Sequence, residues 1–184
     1  MQSNNGCKTV THLQKIMTRI GLISDTHSHL EEKVFDHFAE CDEIWHAGDI
    51  GAIEVADRLA EFRPFRAVYG NIDAADVRRT YPLDLHFQCE GVKVWLTHIG
   101  GYPGRYRKRI REQLADIKPD LFICGHSHIL KVMPDPKNNL LHINPGAAGV
   151  HGFHQVKTII RFTIDGKQIK DLEVIEMGRR GALK

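Results

Sequence analysis

Apolar and polar positions along this chain follow two different periods, and their order predicts a mixed architecture. Residues 18–24 (TRIGLIS) form a nearly continuous apolar run, the pattern of a strand covered on both faces. In residues 30–40, Leu30, Val34, Phe35 and Phe38 share one helical face. A second strand is expected at 43–47, an amphipathic helix at 52–62 through Ile53, Ala56, Leu59 and Ala60, and a third strand at 65–69. This β-α-β-α-β order is the signature of a parallel sheet with right-handed crossovers. The second half differs. Strands at 83–89 and 92–97 flank the Glu90-Gly91 turn, a helix over 105–118 stops before Pro119, and a short buried strand follows at 121–124. Further strands are expected at 129–133, 140–143 and 158–164, with turns at 134–139 and at Asp165-Gly166, and a last strand at 168–176. A parallel half followed by an antiparallel-rich half predicts an α/β fold of two sheets packed face to face, with helices outside.

Length and composition narrow the class. The 184 residues suit one domain, read here as 17–184, preceded by a polar extension at 1–16. Met17 opens the first convincing strand and is a candidate start; the extension could equally pack as a short helix through His12, Leu13 and Ile16. It has no apolar core of the kind a secretory signal needs. Apolar residues make up 42% and charged residues 26%, which is ordinary globular composition. A net charge of +2 does not point to nucleic acid or to an anionic membrane surface, and no apolar stretch is long enough to span a bilayer. Cys7, Cys41, Cys89 and Cys124 lie far apart with no close pair, which favours reduced thiols and a cytoplasmic location. Self-association is left open. The count that stands out is twelve histidines, which directs the search to metal or proton-transfer chemistry.

Ligands of open α/β sheets bind beyond the carboxyl ends of the strands, so the residues following each strand carry the most information. These are Asp25-Thr-His27, Gly48-Asp49, Gly70-Asn71, Thr97-His98 and Gly125-His126-Ser-His128. Each is commonplace alone: a D-x-H recurs by chance, a Gly-Asp is usually a turn, and a single histidine is usually a satisfied surface or core residue. The force lies in five motifs at successive strand ends. Together they supply two Asp, one Asn and four His, with no thiolate. Seven ligands exceed the three that a catalytic zinc takes from its protein and suit two metals sharing a carboxylate. Hard and borderline donors of this kind fit manganese, placed first here, as well as iron, zinc, cobalt or nickel.

In this order the motifs resemble those of the calcineurin-like metallophosphoesterases, D-x-H, G-D, G-N-H-[DE], H and G-H-x-H. The resemblance covers residues 17 to about 176. The short chain and the Ile143-Asn-Pro-Gly146 segment are most similar to the small YfcE-type phosphodiesterases of bacteria and archaea. The resemblance implies a four-layer α/β/β/α sandwich of two mixed sheets flanked by helices. It further implies that Asp25, His27 and His128 hold one divalent ion, that Asn71, His98 and His126 hold the other, and that Asp49 bridges them. Asp49, Asn71 and His98 would then serve catalysis, with a metal-bridging hydroxide attacking phosphorus in line and both ions gripping the phosphoryl oxygens. The expected substrate is a small phosphodiester.

One position departs from the pattern. Where many family members have a histidine able to protonate the leaving oxygen, this chain has Ile72, and Asp73 is the nearest substitute, although a loop-capping role suits it better. The small YfcE-type members also tend to lack that histidine. The enzyme is therefore expected to depend on a good leaving group, or on a metal-bound water as acid, and to prefer diesters. Other features carry less. His46 is either a partner of the metal ligands or an inward strand residue. His29 and His142 have no firmer claim; His151 and His154 could line the cleft but read better as surface loop residues, and Asn144-Pro-Gly146 could supply a backbone group to the site, although a tight turn explains it. Arg105, Arg107, Lys108, Arg109 and Arg111 read as a solvated helix face around Ile110 and Leu114, with an anionic partner as the alternative. Rival functions are a phosphomonoesterase acting on nucleotides or proteins, a nuclease, and a non-catalytic scaffold such as the retromer subunit of this fold. The full set of competent ligands speaks against the scaffold. Ile72 and the short chain speak against the monoesterase, and the small net charge against the nuclease.

Overall fold

The computed structural model describes residues 17–181, so the extension at 1–16 and Cys7 lie outside the described residues. The chain runs β1 (Met17–Ile23), α1 (Lys33–His37), β2 (Glu43–His46), α2 (Ile53–Phe62), β3 (Phe65–Ala67) and α3 (Ala75–Thr80). It continues through β4 (Asp84–Cys89), β5 (Val92–Thr97), α4 (Lys108–Ile117), β6 (Leu121–Ile123), β7 (Lys131–Asp135) and β8 (Leu140–Asn144), and ends in β9 (Val156–Asp165) and β10 (Gln168–Arg179). Two five-stranded sheets result, in the orders β10-β9-β1-β2-β3 and β4-β5-β6-β8-β7. Both are mixed: β1, β2 and β3 are parallel, as are β5, β6 and β8, while β9, β10, β4 and β7 pair antiparallel.

The period of two along each strand sorts its side chains between two cores. Ile20 and Leu22 of β1, Trp45 of β2 and Phe162 of β9 face Val94, Leu96, Ile123 and Ile143 of the other sheet in one buried cluster. Ile23 and Ile44 point the opposite way and meet Val34, Phe38, Val55 and Leu59 in and beside α1 and α2. On the far side, Trp95 and Phe122 pack on Ile110 and Leu114 of α4. Helix, sheet, sheet, helix is the four-layer sandwich expected. Each fully buried aliphatic or aromatic side chain contributes about 1.5–3 kcal/mol, so the cluster between the sheets is what holds their strand ends in fixed relation.

Several boundaries differ from expectation for local reasons. The helix expected at 30–40 is a single turn, because Arg63 donates to the carbonyls of Cys41 and Ala39 and Arg161 donates to that of His37, drawing the chain out towards β2. The helix expected from 105 starts at Lys108. Residues 100–107 instead close into a loop in which Tyr102 O accepts from Arg105 N–H (2.7 Å) and Gly100 O from Arg107 N–H (3.0 Å). β7 absorbs Pro134 and Asp135 from the expected turn, which a sheet edge tolerates because a proline there withholds no needed donor. Helix α3 was not anticipated; its six residues bury only Val77 and so carry no periodic signal. β10 runs on to Arg179 and slips register against β9 twice, between Lys170 and Glu173 and between Glu176 and Gly178. Cys41, Cys89 and Cys124 are buried free thiols whose burial pushes their pKa values up, to about 11, 11 and 12. Among the described residues, no helix is long and apolar enough to cross a membrane.

His142 of β8 is fully buried, stacked on Phe122 (5.8 Å between ring centroids), and neither ring nitrogen has a protein partner. Burial, aided by the charge of Lys131, pulls its pKa down to about 4. The unfolded chain therefore takes up this proton first as the pH falls. The corresponding stability is complete above about pH 6.5 and is lost progressively towards pH 4. His142→Phe is expected to remove up to about 3 kcal/mol of this acid sensitivity. Urea unfolding of both proteins at pH 7 and pH 5 measures it, and equal pH dependence in the two would show that the ring titrates normally.

Candidate metal centre

The loops after β1, β2, β3, β5 and β6 converge on one edge of the sandwich, stitched by main-chain hydrogen bonds. Asp25 N–H donates to Gly48 O (3.0 Å), His27 N–H to Asp49 O (3.0 Å) and Gly125 N–H to His98 O (3.0 Å). Asp25, His27, Asp49, His126 and His128 all adopt left-handed backbone, with φ of 53°, 47°, 54°, 68° and 57°. Such angles are uncommon outside glycine, Asn, Asp and His being enriched among the exceptions, and they gather where a structure over-determines a functional geometry. They also explain how His126 and His128, which an extended strand would aim to one side, reach two different groups. The backbone approach is close: a Cβ on Gly70 would strike the main chain and carboxylate of Asp49, and one on Gly125 would strike Ser24 and Asp25.

The structure brings all seven expected residues together. Asp25, His27 and His128 form one set of converging ligand atoms; Asp49, His98 and His126 form a second. The side chain of Asn71 joins the second set, with Oδ1 placed 3.2 Å from His98 Nε2. Asp49 stands between them, Oδ2 lying 3.8 Å from His27 Nε2 and Oδ1 3.2 Å from His98 Nε2. Donor and acceptor roles follow from the outer partners. His98 Nδ1–H donates to Ala47 O (2.8 Å), so the ring, when neutral, turns an Nε2 lone pair towards the Asp49 carboxylate. His154 Nε2–H donates to Gly149 O (3.0 Å), which leaves His154 Nδ1 to accept from His128 Nδ1–H (3.2 Å). His128 Nε2 therefore presents a lone pair 3.1 Å from Asp25 Oδ1, a fully buried oxygen with no hydrogen-bond partner. Lone pairs facing carboxylate oxygens in both sets repel one another unless a cation stands between them. The donor set fits a pair of divalent metals held by oxygen and imidazole.

Electrostatics are consistent with that crowding. Burial lowers the His27 pKa, against the pull of Asp49 and Asp25. Burial and then the neighbouring His98 lower that of His126. For His98, burial is outweighed by Asp49, to which Nε2 can donate only when the ring is protonated and no cation intervenes, and the pKa is raised; Asp49 shows the reciprocal effect, its burial outweighed by His98 and its pKa lowered.

Around these groups lies a bracing layer that the sequence revealed only in part, through the capping expected of Asp73 and the partner role open to His46. Asp73 is buried and accepts from Gly51 N–H (2.6 Å) and Gly70 N–H (2.7 Å), tying two ligand loops together, which is the capping role rather than the acid role. Arg78 of α3 donates to the carbonyls of Gly70, Asn71 and Asp73. His46 is buried, its pKa pulled down to about 4 by desolvation, and its Nδ1 accepts from Gly48 N–H (3.1 Å). Nε2–H therefore donates to Thr26 Oγ1 (2.9 Å), whose own hydroxyl donates to Ile50 O (3.0 Å). Asn144 holds the last ligand loop, donating to Gly125 O (2.8 Å) and Ser127 Oγ (3.1 Å). His154, read as a surface residue, is the partner that orients His128. His151 is exposed with its ring 6.1 Å from that of His27, and Ile72 is 46% exposed at the mouth.

Comparison with known proteins agrees with this geometry. Residues 18–167 match the calcineurin-like phosphoesterase superfamily domain, and the chain belongs to that family. It is 31% identical over 166 residues to a probable metallophosphoesterase of Methanothermobacter thermautotrophicus, covering 86% of this chain and 92% of that one. Among solved structures, an archaeal phosphodiesterase aligns with a TM-score of 0.68 at 22% identity, covering 86% of this chain and all of the other. Vps29 of Entamoeba histolytica, solved with Zn2+, aligns with a TM-score of 0.67 at 16% identity over 86% and 99% of the two chains. These two show a shared fold. Family membership supports metal-dependent phosphoester hydrolysis, and the side-chain sets are candidate holders of divalent ions.

Proposed function

We propose that this chain hydrolyses small phosphodiesters with two divalent cations, manganese foremost, one held by Asp25, His27 and His128 and the other by Asn71, His98 and His126. The observation that carries the reading is Asp49, whose two carboxylate oxygens face the two ligand sets separately. When bound, such a pair of cations supplies Lewis acidity that activates water and neutralises charge on a phosphoryl group. The chain's own part is to hold the ligands before reaction. Ala47 O and His154 fix two imidazoles with their lone pairs inward, and Asp73, Arg78 and Asn144 keep the loops from relaxing. Such fixed dipoles need no rearrangement as charge develops on the phosphoryl oxygens. The archaeal phosphodiesterase of similar fold supports the diester preference. With metal-loaded protein, bis(p-nitrophenyl) phosphate should turn over faster than p-nitrophenyl phosphate; the reverse order would favour a phosphomonoesterase. A non-catalytic scaffold is the second reading, favoured by the likeness to Vps29. Because a Vps29 was itself solved with zinc, turnover rather than metal retention separates the two.

The leaving group receives no proton from position 72, where Ile72 has none to give, and both oxygens of Asp73 are engaged by backbone N–H groups. Rates across a series of aryl diesters are therefore expected to fall steeply as the leaving-group pKa rises. A flat series would reveal a side-chain acid, and the exposed His151 would be the first residue to replace.

A further inference from the structure

Beside the His126 half of the site lies a cleft of about 550 Å³, lined by Gly100, Tyr102, Arg105, Arg107, Lys108 and Ser127 among others. His126 is part of its wall, so the cleft opens directly from the candidate metal centre. Three of its lining residues are cations and none is a carboxylate. Among the described residues, the side chains of Arg105 and Arg107 have no hydrogen-bond or ion-pair partner, in contrast to Arg19, Arg58, Arg66, Arg109 and Arg161, each of which pairs with a carboxylate. The loop that carries them is built rather than loose. It is closed by the Arg105-to-Tyr102 and Arg107-to-Gly100 hydrogen bonds, and Gly100 lies so close to Cys124 and Phe122 that a Cβ would collide. Tyr106 is buried with its ring edge-on to Phe122 (5.5 Å), while Arg105 and Arg107 on either side of it are exposed. Helix α4 then starts at Lys108 with no side-chain cap and no acidic residue in its first turn, so two sources of positive potential face the same space.

We propose that Arg105 and Arg107 bind a second phosphate, carried on one arm of the diester whose other phosphate sits at the metal centre. This rests on the phosphodiesterase reading and names its substrate class: organic phosphodiesters bearing a further phosphate monoester. Guanidinium groups suit that partner through paired N–H donors, and an unpaired exposed arginine loses little hydration in accepting it.

A matched pair of esters tests it. Thymidine 5′-(p-nitrophenyl phosphate) and its 3′-phosphorylated form share the attacked phosphorus and the leaving group and differ by one phosphate. The metal-loaded protein is expected to show a KM about tenfold lower for the 3′-phosphorylated ester, the scale of a charge-assisted contact. Arg105→Ala/Arg107→Ala should lose that preference, and Arg107→Lys should keep part of it. Calorimetry of thymidine 3′,5′-bisphosphate with the metal-free chain gives an independent readout, expected to weaken about tenfold in the double variant. Equal KM values in the unmodified protein, or a preference that survives the double substitution, would overturn the proposal. Turnover of neither ester would overturn the phosphodiesterase reading, and bisphosphate affinity would still decide the cleft: unchanged in the double variant, it refutes the assignment.

Discussion

Asp49→Asn is expected to lower turnover of a diester by at least about a thousandfold and to reduce the bound divalent metal from two ions per chain, because several kcal/mol of charge stabilisation leave with one carboxylate. Asparagine keeps the size of the side chain and an oxygen to accept from Ile72 N–H, a 3.0 Å bond in this structure, so the loop geometry should survive. What it removes is the negative charge shared between His27 and His98. Asp49→Ala should be at least as inactive and less stable, since it also strands that N–H. Metal content by elemental analysis, measured beside the thermal midpoint, separates the two effects. Retention of both ions and of activity in the asparagine variant would refute the bridging role.

Gly70→Ala makes the complementary change, adding one carbon where the chain has no room. A Cβ there would lie 2.8 Å from Asp49 Cγ and closer still to its main-chain nitrogen and Oδ1. Neither neighbour can yield: the Asp49 backbone is bonded to the His27 loop, and Gly70 N–H is held by Asp73. Overpacking of this kind costs about 1–3 kcal/mol, which for a chain of this size lowers the melting midpoint by roughly 5 °C. Metal binding should fall with it, since the displaced group is the carboxylate between the two sets. A variant that melts normally and binds two ions would show that the strand end has slack.

Much of this site was legible because its ligands sit in short motifs at strand ends, where topology forces loops together. The two-period pattern located those strands, residue chemistry marked the candidate ligands, and the family resemblance divided them into two sets. The fold's layers were legible for the same reason: the alternation of Ile20, Leu22 and Ile23 already implied a strand with a core on each side. What escaped has a common physical character. His154 reaches His128 across 26 residues, and although a capping role was legible for Asp73, its partner Gly51, 22 residues away, was not; such contacts leave no local trace. Helix α3 carries one buried residue and three arginine contacts to a loop, so no periodicity marks it. The basic run at 105–111 was legible as charge but not as shape. The Gly100 and Tyr102 carbonyls capture Arg107 and Arg105 before the helix can start, and this moves two cations from a helix face to a cleft wall.

Among the described residues, β10 ends its sheet with one margin unpaired along twelve residues, ordinarily an invitation to a neighbouring molecule. Its two slips against β9 twist that margin out of plane, and Lys170, Asp171, Glu173 and Glu176 stud it with charge. A second copy could not dock there as a sixth strand of this sheet without flattening both irregularities and burying those charges. Fibril-like stacking through this border is thereby discouraged.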